Sequence, residues 1–197
     1  MSNAQQVQEA PNTDLLILAG AGDHSGTHLV TKVHATKLNN EYSVMEGVMK
    51  PRSLLAPHTH VHEDQVVVVL NGELEFEVGG EGGTRFRAPA GSYVIKPRGL
   101  QHTFWNATDE DVRYIELSGG PGFQGFIDES TAKGSVKASM TSDEKFGITW
   151  GHERIPKLMI QHRLTSIAGV DKPWEQIASL SPGEMMSTLR DAVSRLA

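Results

Sequence analysis

The sequence predicts an all-β protein in which antiparallel strands form a barrel or jelly roll, followed by short helices. Short apolar segments, separated by Gly, Pro and Asn-Gly, fill the chain from about residue 15 to residue 117. Several segments alternate apolar and polar residues, which is the period of a strand with one buried face. Asn71-Gly72 stands between two such segments and favours a tight hairpin. Many short strands joined by turns are typical of β-sandwiches and barrels.

The expected elements divide the chain into three parts. Residues 1–13 are polar without periodicity and are expected to be a disordered tail. Residues 14–129 hold the predicted β-barrel domain, and residues 130–197 form a C-terminal extension with helices that pack on the barrel or on a partner subunit. The predicted strands are Leu15–Leu18, Leu29–Lys37, Tyr42–Lys50, Ser53–His60, Val66–Leu70, Glu73–Val78, Thr84–Arg87, Ser92–Lys96, His102–Asn106 and Val112–Leu117.

Helical patterns begin only after Gly119-Gly120-Pro121-Gly122. Short helices are expected over residues 123–129 and 140–146. A final helix begins at Ser181-Pro182-Gly183-Glu184, which combines a capping box with proline at the first helical position. We expect this last helix to lie across the barrel or in a subunit contact.

Composition excludes several classes of function. The chain has 197 residues, a net charge of −6 and no cysteine, but nine histidines. The absence of cysteine excludes disulfides, iron–sulfur clusters and a thiol nucleophile, and no basic cluster suggests nucleic-acid binding. No apolar run is long enough to cross a membrane, and residues 1–14 lack the features of a signal peptide. These observations lead us to expect a cytoplasmic protein without nucleic-acid or membrane partners.

Three of the histidines have the spacing of a metal site. His58 and His60 are two residues apart, so in a strand both project to the same face. His102 begins a later strand after the rigid turn Pro97-Arg98-Gly99. Neighbouring strands lie about 4.8 Å apart, so side chains on adjacent strands can reach one ion. Imidazole binds Zn, Fe, Ni and Cu and is compatible with Mn, so the sequence predicts one divalent ion of this group.

The residues around these histidines resemble the two motifs of the cupins, a family of small β-barrel proteins. The second motif is matched at all its fixed positions: Gly91, Pro97, Gly99, His102 and Asn106. A chance match of this kind is expected on the order of once in 10,000 chains of this length. In the first motif His58, His60 and Gly72 match, while Arg52 replaces a glycine and Gln65 replaces a glutamate.

The resemblance implies both a fold and a ligand set. It spans roughly residues 42–129. Within this range the chain is similar to single-domain bacterial quercetin dioxygenases, which hold a divalent metal with three His and one Glu. Transferred by position, the ligands here are His58, His60, Gln65 and His102. The family also implies a homodimer.

The amide at position 65 changes the chemistry that the resemblance implies. An amide oxygen can bind a metal, but it cannot act as a base near neutral pH. Asp64 is an alternative fourth ligand at the shorter permitted spacing from His60, although its spacing to Gly72 is wrong. His62 has the strand parity of His58 and His60, so it is either a fourth imidazole or nearby base, or a histidine at the rim that faces water. We therefore assign Gln65 and His62 as candidate catalytic residues.

The resulting hypothesis is a metal-dependent, dioxygenase-like enzyme acting on a small aromatic or enolisable oxygen-rich molecule. The alternatives are a redox-neutral Lewis-acid enzyme, such as a polyketide cyclase or isomerase, and a non-catalytic cupin that binds a small molecule. Phe104 shares the strand parity of His102 and is expected to line the interior. It is then either a pocket residue or, more simply, part of the core. The remaining histidines without paired spacing are expected to face solvent or to serve structure: His24, His28, His34, His152 and His162.

Overall fold

The computed structural model describes residues 15–24, 28–133 and 145–193. The strands are β1 (Asp23–His24), β2 (Leu29–Val33), β3 (Ser43–Met49), β4 (Ser53–His60), β5 (Gln65–Val69), β6 (Glu73–Val78), β7 (Thr84–Pro89), β8 (Tyr93–Lys96), β9 (His102–Trp105), β10 (Val112–Ser118), β11 (Ile148–Trp150) and β12 (Ser166–Ile167). The α-helices are α1 (Gly122–Lys133), α2 (Ile155–Gln161), α3 (Trp174–Ala178) and α4 (Pro182–Val193). Two short 3₁₀ helices cover Ala35–Leu38 and His152–Arg154.

The strands form two sheets. Sheet 1 has the order β1-β2-β3-β10-β5-β8, and sheet 2 has the order β11-β4-β9-β6-β7 with β12 beside β4. All pairings are antiparallel except that of β12 with β4. The predicted antiparallel β-fold with a few short helices is therefore confirmed.

The inner faces of both sheets enclose the main core. Strands β3 and β10 alternate buried and less buried residues along their length, as strands with one buried face do. Apolar side chains of both sheets, including Met45, Val67, Phe76 and Phe104, meet in one cluster. Phe104 contacts the rings of Phe76 and Tyr114, so it is part of this core.

The outer faces of the two sheets differ. A second cluster covers the outside of β4 and β9, where Leu54 and Trp105 pack against Ile155, Leu158 and other residues of the C-terminal segment. The C-terminal segment also adds β11 to the free side of β4. On sheet 1 the outward side chains of β8 are exposed: Tyr93 is 73% and Ile95 is 69% exposed.

Two strands have the predicted bounds, β4 and β6, but the predicted hairpin at Asn71-Gly72 is wrong. The strands on either side belong to different sheets, because β5 pairs with β8 and β10, whereas β6 pairs with β7 and β9. Gly72 has a positive φ of 67°. The side chain of Asn71 accepts a hydrogen bond from the N–H of Arg113 and donates one to the carbonyl of Asp111. The dipeptide therefore connects β5 of sheet 1 to β6 of sheet 2, and the side chain of Asn71 is hydrogen-bonded to the start of β10.

Other differences lie at the ends of the barrel. Leu15–Leu18 is not a strand, because its exposed residues have no neighbouring strand in the described part of the chain. The strand predicted over Leu29–Lys37 ends at Val33 and a 3₁₀ turn follows. The helix predicted over 140–146 falls mostly outside the described residues, as does the N-terminal tail. Strands β11 and β12 and helices α2 and α3 were not predicted. No helix among the described residues is long and apolar enough to cross a membrane.

Candidate metal centre

The three predicted histidines meet inside the molecule. His58 and His60 project inward from β4, and His102 projects from the start of the neighbouring strand β9, directly across from His58. Their side chains belong to buried residues, with exposures of 3% for His58, 1% for His60 and 1% for His102. The candidate ligand nitrogens lie within 4.8 Å of one another. Among the described residues, these three form the one group of His, Asp or Glu side chains arranged to hold an ion.

The hydrogen bonds of His58 and His102 fix which ring nitrogen carries the proton. Nδ1 of His58 lies 2.8 Å from the carbonyl of Ala56, and Nδ1 of His102 lies 3.1 Å from the carbonyl of Leu100. A carbonyl can only accept, so both Nδ1 atoms must be the protonated nitrogens. The two Nε2 atoms therefore face each other, 3.2 Å apart, as unprotonated nitrogens.

Two such lone pairs repel each other unless a proton or a cation lies between them. Burial is the main cause that lowers the pKa of His58 to about 3, and the charge of Lys96 adds to it. Burial also lowers the pKa values of His60 and His102 well below the ordinary value. The rings are thus neutral at physiological pH. Two nitrogens bound to one ion at about 2.1 Å and angles between 90° and 109° would lie about 3.0–3.4 Å apart, which matches the separation observed.

His60 completes the group with a free nitrogen. Neither of its ring nitrogens has a hydrogen-bond partner in the described part of the protein. Its ring lies nearly parallel to that of His102, with centroids 5.5 Å apart, and meets the ring of Phe123 edge-on. Buried polar atoms normally have partners, so these orphaned nitrogens fit a ligand role. The donor set consists of three neutral imidazoles, of which His58 and His102 are held through Nδ1 by backbone carbonyls, and divalent metals accept such a set.

Gln65 is buried at the start of β5, on the sheet opposite β4, and is 1% exposed. Its Nε2 donates to the hydroxyl of Ser118 at 2.8 Å. Its Oε1 lacks a partner among the described residues, which leaves the better metal-binding atom of the amide available. Its role as the fourth ligand stays a prediction.

Asp64 and His62, the neighbours that compete with Gln65, lie on the outside. The exposed carboxylate of Asp64 accepts hydrogen bonds from the side chain of Arg98 at 2.6 Å and from its backbone N–H at 2.9 Å. The Arg98 guanidinium lowers the pKa of Asp64 to about 2. His62 is also exposed and packs beside Gly147. The geometry therefore favours Gln65 over Asp64 as a ligand, and the catalytic role of His62 stays a prediction.

Glu63, between them, has a structural role that the sequence analysis missed. It is 4% exposed, and its carboxylate accepts the N–H groups of Gly122 and Phe123 at the start of α1. A carboxylate at this position satisfies free donors and interacts favourably with the helix dipole. Glu63 thus fixes the β4–β5 loop to α1, which places Phe123 against His60.

Comparison with known proteins identifies the region around these histidines. Residues 45–118 match the cupin domain family model, Cupin_2. This region is a cupin domain. The match covers less than half of the 197 residues, so it assigns the domain and not the whole chain. It confirms the resemblance drawn from the two motifs. The finer resemblance to quercetin dioxygenases stays a prediction.

Several solved structures are similar to the chain at low identity. They include an uncharacterized conserved protein with a double-stranded β-helix domain from Klebsiella pneumoniae, at 22% identity over 47% of this chain and 75% of that chain with a TM-score of 0.41. KdgF from Halomonas sp. is 19% identical over 51% and 85%, with a TM-score of 0.42. A predicted oxalate decarboxylase from Thermotoga maritima is 17% identical over 51% and 89%, with a TM-score of 0.44. No curated protein matches the sequence significantly.

A buried ion pair lies on the sheet facing the three histidines of the cupin domain. Lys96, 0% exposed, donates to Glu116, 3% exposed, at 2.5 Å. Lys96 is the cross-strand partner of Gln65, and Glu116 lies two residues before Ser118, the hydrogen-bond partner of Gln65. Burial lowers the pKa of Lys96, and the charge of Glu116 opposes that shift. The pair was not predicted from the sequence, although both residues share the parity of the buried apolar positions in their strands.

A narrow cavity adjoins His58, one of the three histidines. His58 and Glu116 contribute to its wall together with His28, Tyr114, Trp150 and the apolar side chains near α1. Burial lowers the pKa of His28 to about 4, so this ring is neutral. His28 and Trp150 could not be assigned from spacing, because one precedes β2 and the other lies on β11, far from the motifs in sequence.

Proposed function

We propose that the protein is a divalent-metal-dependent enzyme that acts on a small aromatic or enolisable oxygen-rich molecule, with dioxygenation as the leading reaction. The observation that supports a metal site is the separation of 3.2 Å between the unprotonated Nε2 atoms of His58 and His102. His58, His60, His102 and Gln65 would hold the ion. When bound, it would supply a Lewis acid for a substrate oxygen and, if redox-active, a site for dioxygen.

The protein's own groups support a substrate with an acidic hydroxyl. Gln65 cannot take up a proton near neutral pH. Glu116 is a carboxylate that lines the cavity beside His58, so it can accept a hydrogen bond from a hydroxyl group. Lys96 neutralises the charge of Glu116 in the absence of substrate.

A redox-neutral Lewis-acid reaction, such as cyclisation or isomerisation, is the second candidate. One observation favours it: the proposed ligands are all neutral, with three unprotonated imidazoles and an amide. A neutral ligand set leaves the full charge of the ion to polarise a substrate oxygen, whereas a carboxylate ligand would offset part of it.

Metal content and oxygen consumption test these proposals together. The protein is purified without chelators, its metals are measured, and oxygen uptake is followed with a flavonol, with catechols and with hydroxy-pyranones. Stoichiometric Fe, Ni, Mn or Cu with oxygen uptake supports dioxygenation. Stoichiometric Zn without oxygen uptake supports the Lewis-acid reaction. Failure to bind any of these metals, even after reconstitution, contradicts both.

A His58→Ala variant serves as the matched test of the site. Loss of one imidazole should weaken metal binding by more than about 100-fold, since loss of even an outer hydrogen bond weakens metal sites by about 10–100-fold. Chelator competition measures the affinity. His24→Ala removes an exposed imidazole and should leave the affinity unchanged. Equal affinities for both variants would show that the ion binds elsewhere.

A further inference from the structure

We infer that residues 119–123 form a flap that opens to admit ions and substrate to the candidate metal centre, and that Glu63 is the positioning residue that holds the flap closed. The flap connects the end of β10 to the first turn of α1 and carries Phe123, whose ring lies against that of His60. This inference rests on the proposed function, because it concerns access to the same three histidines.

The candidate metal centre is closed in this conformation. His58, His60 and His102 are each no more than 3% exposed. The cavity beside His58 has a volume of about 20 Å³, which is room for about one water molecule. An aromatic or enolisable substrate is larger than water, so part of the surrounding structure must move before such a molecule can reach an ion held by these residues.

Two aromatic rings cover ligand residues, and their backbones are held differently. The ring centroid of Trp150 lies 5.2 Å from that of His58. Trp150 belongs to β11, which pairs with β4 directly opposite His58, so moving its backbone would break the sheet that carries the ligands. The ring centroid of Phe123 lies 5.1 Å from that of His60. Phe123 lies outside both sheets, so its movement leaves the ligand strands intact.

Both ends of the flap are fixed to the barrel. Ser118, which precedes the flap, is the last residue of β10 and pairs with Gln65 on β5. Gln124, which follows the flap, accepts a hydrogen bond from the backbone N–H of Ala35 at 2.6 Å. Three of the five residues between these points are glycine, which adopts many backbone conformations. The flap can therefore move between its fixed ends without displacing β10 or the rest of α1.

Three hydrogen bonds hold the flap to the β4–β5 loop. The N–H of Gly119 donates to the carbonyl of Asp64 at 2.9 Å. The carboxylate of Glu63 accepts the N–H groups of Gly122 and Phe123, the latter at 2.8 Å. Hydrogen bonds to a charged acceptor are stronger than those between neutral groups. Glu63 therefore contributes more to the closed position than the bond between the two backbones does.

The glycines lie where the carboxylate of Glu63 approaches the flap. Gly120 has a φ of 119°, in the region that favours glycine. A Cβ at Gly120 would lie 2.8 Å from Oε1 of Glu63, and a Cβ at Gly122 would lie 2.9 Å from the same atom. Both separations are shorter than an ordinary van der Waals contact. The flap is thus bare on the side that receives the carboxylate, and a substitution on either side of the contact should release it.

The rates at which zinc leaves and enters the protein measure the opening of the flap. Release is followed after an excess of chelator is added to the Zn²⁺-loaded protein, and uptake is followed after Zn²⁺ is added to the metal-free protein. Phe123→Ala uncovers His60 and should accelerate release by about 10- to 100-fold. Glu63→Gln keeps the size of the side chain but removes its charge, and should accelerate release by about tenfold.

Uptake distinguishes an opened flap from damaged ligands. A flap that opens more readily should accelerate uptake by the same factor as release, so the zinc affinity should change by less than about threefold, because the flap contributes no ligand to the ion. Faster release with unchanged or slower uptake would mean that the substitution disturbs His60 itself, and this result would overturn the inference.

Gly122→Ala tests the same contact from the side of the flap. Its Cβ would displace the carboxylate of Glu63 and should accelerate uptake and release by the same factor as Glu63→Gln. Combining the two changes should add little, since both break one contact. Two controls should leave the rates unchanged. Glu110→Gln removes the same charge at an exposed position, and Leu189→Ala removes a fully buried side chain from α4 and so controls for a general loss of stability.

Parallel acceleration of uptake and release in Phe123→Ala and Glu63→Gln, but not in the controls, supports the inference. Should Phe123→Ala fail to fold, the pair Glu63→Gln and Gly122→Ala decides the question alone. Unchanged rates in the flap variants, or equal acceleration by Leu189→Ala, overturn the inference and leave the proposed function standing. Wild-type protein that takes up no zinc or other divalent metal overturns the proposed function, and the inference with it.

Discussion

The two sheets contribute different chemistry to the same interior. Sheet 2 supplies the three imidazoles from β4 and β9, and the outer faces of these two strands are covered by the C-terminal segment. Sheet 1 supplies Gln65, Lys96, Tyr114 and Glu116, while outward residues of its edge strand β8 are exposed. The strand pair that must hold ligands at fixed distances is thus packed on both sides. Sheet 1 differs at its edge strand β8, where apolar packing lies mainly on the inner face.

This difference separates the wall that we propose to bind the metal, called here the metal-binding wall, from the polar wall that we propose to contact substrate. Metal sites tolerate little displacement of their ligands, and packing on both faces restrains β4 and β9. We therefore expect the two sheets to differ in how substitutions affect stability, charge and metal affinity.

The largest expected effect is the loss of stability of the metal-free protein in acid. Burial lowers the pKa values of His28, His58, His60 and His102 in the folded state, to about 4 for His28 and about 3 for His58. Below a pH of about 6.5 the unfolded chain binds protons that the folded chain does not, so stability falls as pH falls towards the folded pKa values. Each such histidine contributes about 1.4 kcal/mol per pH unit at full slope.

Urea denaturation between pH 7.5 and 5 in the presence of EDTA measures this slope. Three of the four imidazoles lie on sheet 2. Because His58→Ala removes one of them, it should reduce the dependence of the free energy of unfolding on pH. A stability that stays constant across this range would contradict the assignment of neutral, buried rings.

The next effect concerns the ion pair on sheet 1. Glu116→Gln or Lys96→Met alone should lower the free energy of unfolding by about 3–5 kcal/mol, because each leaves one buried charge without its partner. The double variant should recover most of this loss, since both charges are then removed. A double-mutant cycle by denaturation measures the coupling, and simple addition of the two single effects would show that the residues do not act as a pair.

The sequence predicted the metal-binding wall well because its information is local. The spacing of His58 and His60 fixes a common face, and the turn at Pro97-Arg98-Gly99 fixes the start of β9. The bounds of β4 and β6 follow from alternation and turn residues. The approximate positions of the other barrel strands follow from the same signals.

The other wall depends on pairing between distant strands and could not be predicted in this way. Lys96 and Glu116 meet because β5 lies between β8 and β10, an order that alternation along one strand does not disclose. Trp150 reaches the cavity because the chain returns after α1 and adds β11 beside His58. The prediction of a hairpin at Asn71-Gly72 was wrong for the same reason, since turn preference does not determine which sheet the next strand joins.

The outer faces of the two sheets give a matched pair of variants. Leu54→Ala removes a fully buried side chain beneath the C-terminal helices and should cost about 2–5 kcal/mol of stability. Ile95→Ala removes a side chain that is 69% exposed and should change stability by no more than about 0.5 kcal/mol. Thermal and chemical denaturation of the purified protein measure both. A large effect of Ile95→Ala would mean that sheet 1 is also covered, for example by a second subunit.

The smallest expected effect is that of a carboxylate at position 65. Gln65→Glu places a negative charge on the wall opposite the three imidazoles and should tighten binding of a divalent ion by about tenfold, the effect of roughly 1.4 kcal/mol of added attraction. Without metal the carboxylate adds a buried charge beside Ser118 and the cross-strand neighbour Lys96, and burying a charge is costly, so the metal-free variant should melt at a lower temperature than the wild type. The variant should therefore show a larger rise in melting temperature on adding Zn²⁺.

Gln161→Glu makes the same change at an exposed position at the end of α2 and controls for net charge. It should alter neither the zinc affinity nor the zinc-induced rise in melting temperature. If Gln65→Glu behaves like this control, no side chain from the start of β5 reaches the ion, and the two sheets do not share the metal. If it tightens binding, Gln65 is the point at which the polar wall joins the metal-binding wall, and the natural amide keeps the ion more positive than a carboxylate would.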